Sequence, residues 1–418
     1  MNHQMHSQKP ATLQPSYPQP ETPWSYCSLA SLLFVALFPV LALHSPVQAQ
    51  TFTDKIIYSF SGATDGNEPL FSGVVRDKSG HFYGTTYAGG VFKYGTVFKV
   101  DASGNETVLH SFGKKNDGRS PSTGLVIDPV GHLFGTTSAG GIRSGKCEKG
   151  CGIVFEIEPN GDEKILHGFA AGSDGANPSG ALVRDQAGNL YGTTELGGAF
   201  GGGTIFKVDA IGAYTILYNF VGQPDAQNPE AGLLRDEVGN FYGTTAAGGV
   251  NGLGAVFKFD TSGHETVLYS FAGSFNSDGQ NPDTALFRSP NGDLYGTTML
   301  GGWGTGVVFK LDPDGNETIL HTFGNAQSDG AYPESPLVND SRGNLYGTTI
   351  QGGTTGIPGG VVFQISAQGV YSVVYNFGGT LDGSAPAGPL LPGPDGSFFG
   401  TTSSGGTAGP GTVYQLIP

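Results

Sequence analysis

Seven aspartates stand four residues ahead of a proline: Asp65, Asp117, Asp174, Asp225, Asp278, Asp329 and Asp382. Six begin D-G-x-x-P, and Asp225 begins D-A-x-x-P. Carboxylates at equivalent places invite a calcium assignment. Calcium takes six to eight oxygens, and one Asp per loop falls short of that. The pattern itself reads as a structural turn. Asp bonds the nearby backbone, Gly turns the chain, and Pro opens the next strand.

The other reactive residue types are sparse. Cys147 and Cys151 lie in GKCEKGCG and read as a local disulfide. Two thiols with no nearby His make a poor zinc site. His110, His167 and His321 share one position with Tyr58, Tyr218, Tyr269 and Tyr375. That interchange indicates packing and hydrogen bonding, not metal ligation. No Ser-His-Asp or Cys-His arrangement stands out, and no sialidase-type Asp box is present. Double glycines recur from Gly89-Gly90 to Gly405-Gly406, but no Lys-Ser/Thr follows at phosphate-loop spacing. The sequence therefore designates no catalytic residue, no metal ligand and no cofactor.

What positions these residues is a repeat. The motif [YF]GTT starts at Tyr83, Phe134, Tyr191, Tyr242, Tyr295, Tyr346 and Phe399, at spacings of 51 to 57 residues. Each unit holds four runs rich in Val, Ile, Tyr, Phe and Thr; in the third they are 180–185, 189–194, 203–209 and 214–220. Turns such as Asp77-Gly80 and Asp101-Gly104 join the first run to the second and the third to the fourth. Four strands, A to D, in about 50 residues match one blade of a β-propeller. The fold expected is all-β: one seven-bladed propeller over residues 50–418, four antiparallel strands per blade. Residues 55–60 form an orphan D strand, and 411–416 a C strand without its D. Their pairing would close the ring. Arg76, Arg184, Arg235 and Arg288 share one place in strand A beside Asp77, Asp185, Asp236 and Ser289. They read as Arg–Asp pairs at each hairpin, with a charged channel mouth as the alternative.

Composition bounds the function. Of 418 residues 71 are Gly, 13% are charged, and the net charge is −15. Such an acidic chain, with no Lys/Arg-rich stripe, excludes nucleic acid and anionic membrane as natural partners. Cys27 to Leu43 form an apolar run ending near Val47-Gln48-Ala49, a small-residue cleavage site. Residues 1–49 thus read as a signal peptide with a long polar leader, a retained anchor being the alternative. After cleavage no integral membrane domain is expected, and the product is secreted, periplasmic or at the cell surface.

The unit GLVRDxxGNLYGTTxxGGxxxGTVFKVDxxGxETVLYSF resembles the GloVer tandem repeat of the "choice-of-anchor" exported bacterial proteins, and more distantly the NHL-type propeller repeats. The resemblance covers residues 55–418. It implies a propeller outside the cytoplasm and brings no catalytic residues or substrate. The D→A and B→C loops should share one face and vary most, so ligands belong there. That face carries Phe92, Tyr94, Phe275, Trp303 and Tyr332. They either stack on a sugar or anchor a protein, or fold over the loop glycines. The functional expectation is a non-enzymatic module binding a glycan or protein. The alternatives are a propeller enzyme, a polysaccharide lyase or hydrolase, and an envelope scaffold.

Overall fold

The computed structural model describes residues 51–418, except 144–146, 274–277, 327, 355–358 and 380. The expected signal segment and Phe275 lie outside the described residues. Among those described, no helix is long and apolar enough to cross a membrane.

Seven four-stranded antiparallel sheets follow one another along the chain. Blade 1 is typical: A is Val75–Arg76, B Phe82–Thr86, C Thr96–Val100 and D Glu106–Ser111. In blade 2 the insertion lengthens the B→C loop between Leu133–Thr137 and Ile153–Ile157. Blade 7 takes A, B and C from Leu391–Pro392, Phe398–Thr402 and Thr412–Ile417. Its D strand is Thr53–Ser59, paired antiparallel to Thr412–Ile417. The protein is an all-β seven-bladed propeller, closed by its first strand on its last.

The repeat encodes how blades stack. Phe98 of strand C and Phe60, just after the preceding D strand, are fully buried, with rings 5.1 Å apart. Equivalent pairs, such as Phe112–Phe155 and Phe220–Phe257, recur between successive blades. The glycine of [YF]GTT makes room for them. A Cβ on Gly84 would lie 2.6 Å from the tip of Phe98. Blades also interlock at the loop face. At Gly95, with φ +100°, a Cβ would lie 2.6 Å from Pro121 of the next blade. Gly411 meets Pro69 in the same way across the closure. The first Thr of the motif ties neighbours too. Thr85, Thr193 and Thr244 donate to carbonyls of Thr123, Ala231 and Thr284, and Thr401 donates to Pro69.

The arginines behave otherwise than expected. Among the described residues no Arg forms an ion pair. Asp77 is already filled: Oδ1 accepts the Ser79 and His81 amides, and Oδ2 the Tyr83 hydroxyl. The guanidinium of Arg76 instead lies over Phe82 and Phe399, at 5.3 and 5.4 Å. Arg184, Arg235 and Arg288 lie similarly over Phe134, Phe241 and Tyr242. A ring face attracts the cation without desolvating a second charge.

Candidate functional site

Each crossing aspartate is bound by its own turn. Asp117 Oδ2 accepts the amides of Gly113 and Lys114, and Oδ1 that of Gly118. The turn thus wraps around its carboxylate and leaves Lys114 and Lys115 on the outside. Beyond it, Gly118–Arg119 pairs with Ala139–Gly140 in a short two-stranded sheet that braces the loop face. The B→C loop of blade 2 then returns through Cys147 and Cys151, joined in a disulfide with Cα atoms 5.3 Å apart. Lys149 sits inside that small covalent loop, and Gly140 takes its carbonyl in a 3.0 Å hydrogen bond.

These segments enclose an open cleft of about 760 Å³ at blade 2. Its walls carry Lys114, Lys115, Arg119, Arg143 and Lys149. Among the described residues none of the five pairs with a carboxylate. In a chain of net charge −15, five of 20 Lys and Arg side chains share one concavity. Such a local field attracts anions strongly, because the walls concentrate it. The sequence conceals this patch, since three of the residues lie within 114–119 and two within 143–149, and only the fold brings the two stretches together.

Two of the aromatics singled out from sequence stand at its rim. Arg119 lies over the Tyr94 ring at 4.0 Å. Phe92 and Tyr94 both cover Gly113, which lines the cleft; a Cβ there would come within 2.7 Å of each. Both rings remain about 40% exposed. Trp303 is 74% exposed and borders a separate hollow with His321 and Asn325. Tyr332 is tied by its amide to Thr305, in the loop that carries Trp303. The aromatics therefore do not form one surface. Phe92 and Tyr94 belong with the basic cleft, and Trp303 and Tyr332 lie elsewhere on the ring.

Asp117, which lines the cleft, leads to a buried cluster. Its Oδ2 accepts from His110 Nε2 at 3.2 Å, and Glu163 Oε2 lies 3.7 Å from the same nitrogen. A carboxylate only accepts, so Nε2 carries the proton. Donor atoms of His110, Asp117 and Glu163 all fall within 4.8 Å of one another, the span of a metal donor set. Among the described residues no other His/Cys/Asp/Glu trio does so. Burial, then the neighbouring Asp117, pushes the Glu163 carboxyl up. Burial alone would raise Asp117 too, but the bonds it accepts hold it below the usual carboxylate range. Chemically, two carboxyls this close favour one shared proton, and the donor set has the span to take one cation.

A comparison with curated proteins finds no match. Among solved structures, the extracellular domain of what is described as a hybrid two-component system from B. thetaiotaomicron superposes with a TM-score of 0.55 at 12% identity. It covers 88% of this chain and 41% of that one. PorZ, a surface component of the type-IX secretion system of Porphyromonas gingivalis, gives 0.51 at 15% identity, over 83% and 46%. This chain spans less than half the length of either, and the likeness is one of fold. The Gloeobacter/Verrucomicrobia repeat model matches residues 45–237, 141–357 and 232–418. The chain belongs to the Gloeobacter/Verrucomicrobia repeat family.

Proposed function

We propose that this propeller is a binding module that takes an acidic glycan into the blade 2 cleft. One observation carries it: five unpaired Lys and Arg side chains converge in a strongly acidic chain. A polyuronate offers carboxylates to those cations and ring faces to Phe92 and Tyr94. The Arg119–Tyr94 stack fixes one guanidinium in place, so less side-chain entropy is lost on binding. Action outside the cytoplasm is supported by the Cys147–Cys151 bond and the apolar run at residues 27–43. Nucleic acid is not proposed, because the rest of the surface would repel it.

The test is calorimetric titration of the purified protein with polygalacturonate and with uncharged dextran. Binding of the polyuronate alone, weakening as salt rises, is expected. Lys114→Glu with Arg143→Glu should abolish it while the melting temperature stays within a few degrees. Equal binding of dextran, or unchanged binding by the double variant, would refute the proposal. A second function, cleavage of the bound glycan, is favoured by His110, Asp117 and Glu163 beneath the cleft. Shortening of polygalacturonate by wild type, lost in Glu163→Gln with binding retained, would establish that function instead.

A further inference from the structure

The seven segments between each crossing proline and strand A meet on the propeller axis. They line a chamber of about 220 Å³, with residues from every blade. The position after each proline is Leu70, Ser122, Ser179, Glu230, Asp283, Glu334 and Ala387 in turn. The chamber is therefore lopsided. Three consecutive blades offer carboxyl groups, and blades 2 and 3 offer hydroxyls. No Lys or Arg lines it.

These carboxyls differ from the crossing aspartates, which are fed by backbone amides. Asp283 Oδ1 is sealed from solvent without a hydrogen-bond partner, and so is Ser179 Oγ. Asp283 as a whole is half-buried, so it is this oxygen in particular that is shut away. Its burial, then the charges of Glu334 and Glu230, push it up to about 8. Burial pushes Glu230 and Glu334 to about 7, Glu195 adding its charge at Glu230. A stripped carboxylate needs a proton or a cation, and nothing in the walls supplies the second.

We propose that the axial chamber binds a hydrated divalent cation, held by Glu230, Asp283 and Glu334. The donors are all oxygen, which selects hard ions such as Mg²⁺ and Ca²⁺ over softer metals. The three carboxyls are spaced more widely than a single inner coordination shell. Water must bridge them to the ion, and Mg²⁺ in particular keeps its waters. At about 30 Å³ per water, a chamber of about 220 Å³ has room for an ion together with its waters. Ser122 and Ser179, from the two blades preceding Glu230, also line the chamber.

The test uses chelator-treated full-length protein at pH 7.5, melted with Mg²⁺, Ca²⁺ or ionic-strength-matched NaCl. A saturable rise of several degrees with a divalent ion is expected, with one ion per chain by calorimetry. Asp283→Asn should weaken that ion at least tenfold and melt higher than wild type when no ion is present. If it does not fold, Glu334→Gln serves the same purpose. Glu106→Gln, outside the chamber, should respond as wild type. No rise beyond NaCl, or an undiminished response in the chamber variants, overturns the proposal.

Discussion

His167 and Tyr214 lie face to face, their ring centroids 3.7 Å apart and their planes 3° from parallel. They come from the D strands of successive blades, and the junction they occupy recurs seven times. At each, a Tyr or His of one blade bonds the crossing Asp, and the first D-strand position of the next blade closes over both. His321 meets Tyr371 in the same stack, at 3.5 Å. Where the first partner is Tyr, the second is acidic: Tyr58 with Glu106, Tyr218 with Glu265, Tyr269 with Glu317, Tyr375 with Asp54. Only the junction of His110 and Glu163 mixes the two kinds, and it lies beneath the basic cleft.

Replacing Glu163 by Tyr should convert that junction into the stacked kind. A ring would replace a carboxyl that burial and Asp117 disfavour. The variant should melt above wild type; a lower melting temperature would show that the His–Asp–Glu trio stabilises the fold as it stands.

Tyr371 should be sensitive to loss of its hydroxyl alone. Half-buried against the core, it donates to Asp329 Oδ1 at 2.6 Å. Tyr371→Phe keeps the stack on His321 and removes that bond, at a cost of about 1.5–3 kcal/mol. Urea unfolding measures the loss directly.

Tyr414 should respond in the opposite sense. Six blades place Phe at its position, and its hydroxyl is buried with no hydrogen-bond partner. Tyr414→Phe removes an unsatisfied polar atom without changing the packing of the ring. It should stabilise the protein by about 1–3 kcal/mol, readable in the same unfolding experiment.

Acid should strengthen the fold over an unusual range. Glu106 is pushed to about 7 and Glu265 to about 8 by burial and then by the crossing Asp, as the chamber carboxyls are by their surroundings. Such groups bind protons in the folded state that the unfolded chain has already released. Their contribution is complete near pH 4 and is lost as pH rises towards 8. Melting temperature should therefore fall from pH 5 to pH 8.5 in the absence of divalent ions. Asp283→Asn should make the profile flatter. A profile rising over this window would contradict the assigned directions.

Much of the architecture was legible because the repeat states it seven times. The D-x-x-G turns fixed where strands A, B, C and D begin and end. The unpaired runs at 55–60 and 411–416 announced the closure. The sites were hidden for a different reason. Lys114 and Lys149 are 35 residues apart in the chain, and only the fold of blade 2 makes them neighbours. Glu230, Asp283 and Glu334 each follow a proline, as serine and alanine do in other blades, and nothing local marks them. Position one of strand D holds Glu in four blades, Tyr in two and Asp54 in the last. Its logic appears only when paired with the Tyr or His of the preceding blade. The arginines of strand A were misjudged because adjacency in sequence suggested a partner whose oxygens the turn already occupies.

The closure also sets an order of events. The first strand made, Thr53–Ser59, has its partner in the last, Thr412–Ile417. A chain that appears from its N-terminus, whether from a ribosome or through a pore, can pack blade on blade but must keep this strand waiting until the final segment arrives. Completion of the ring is thus a report that all seven blades have been delivered.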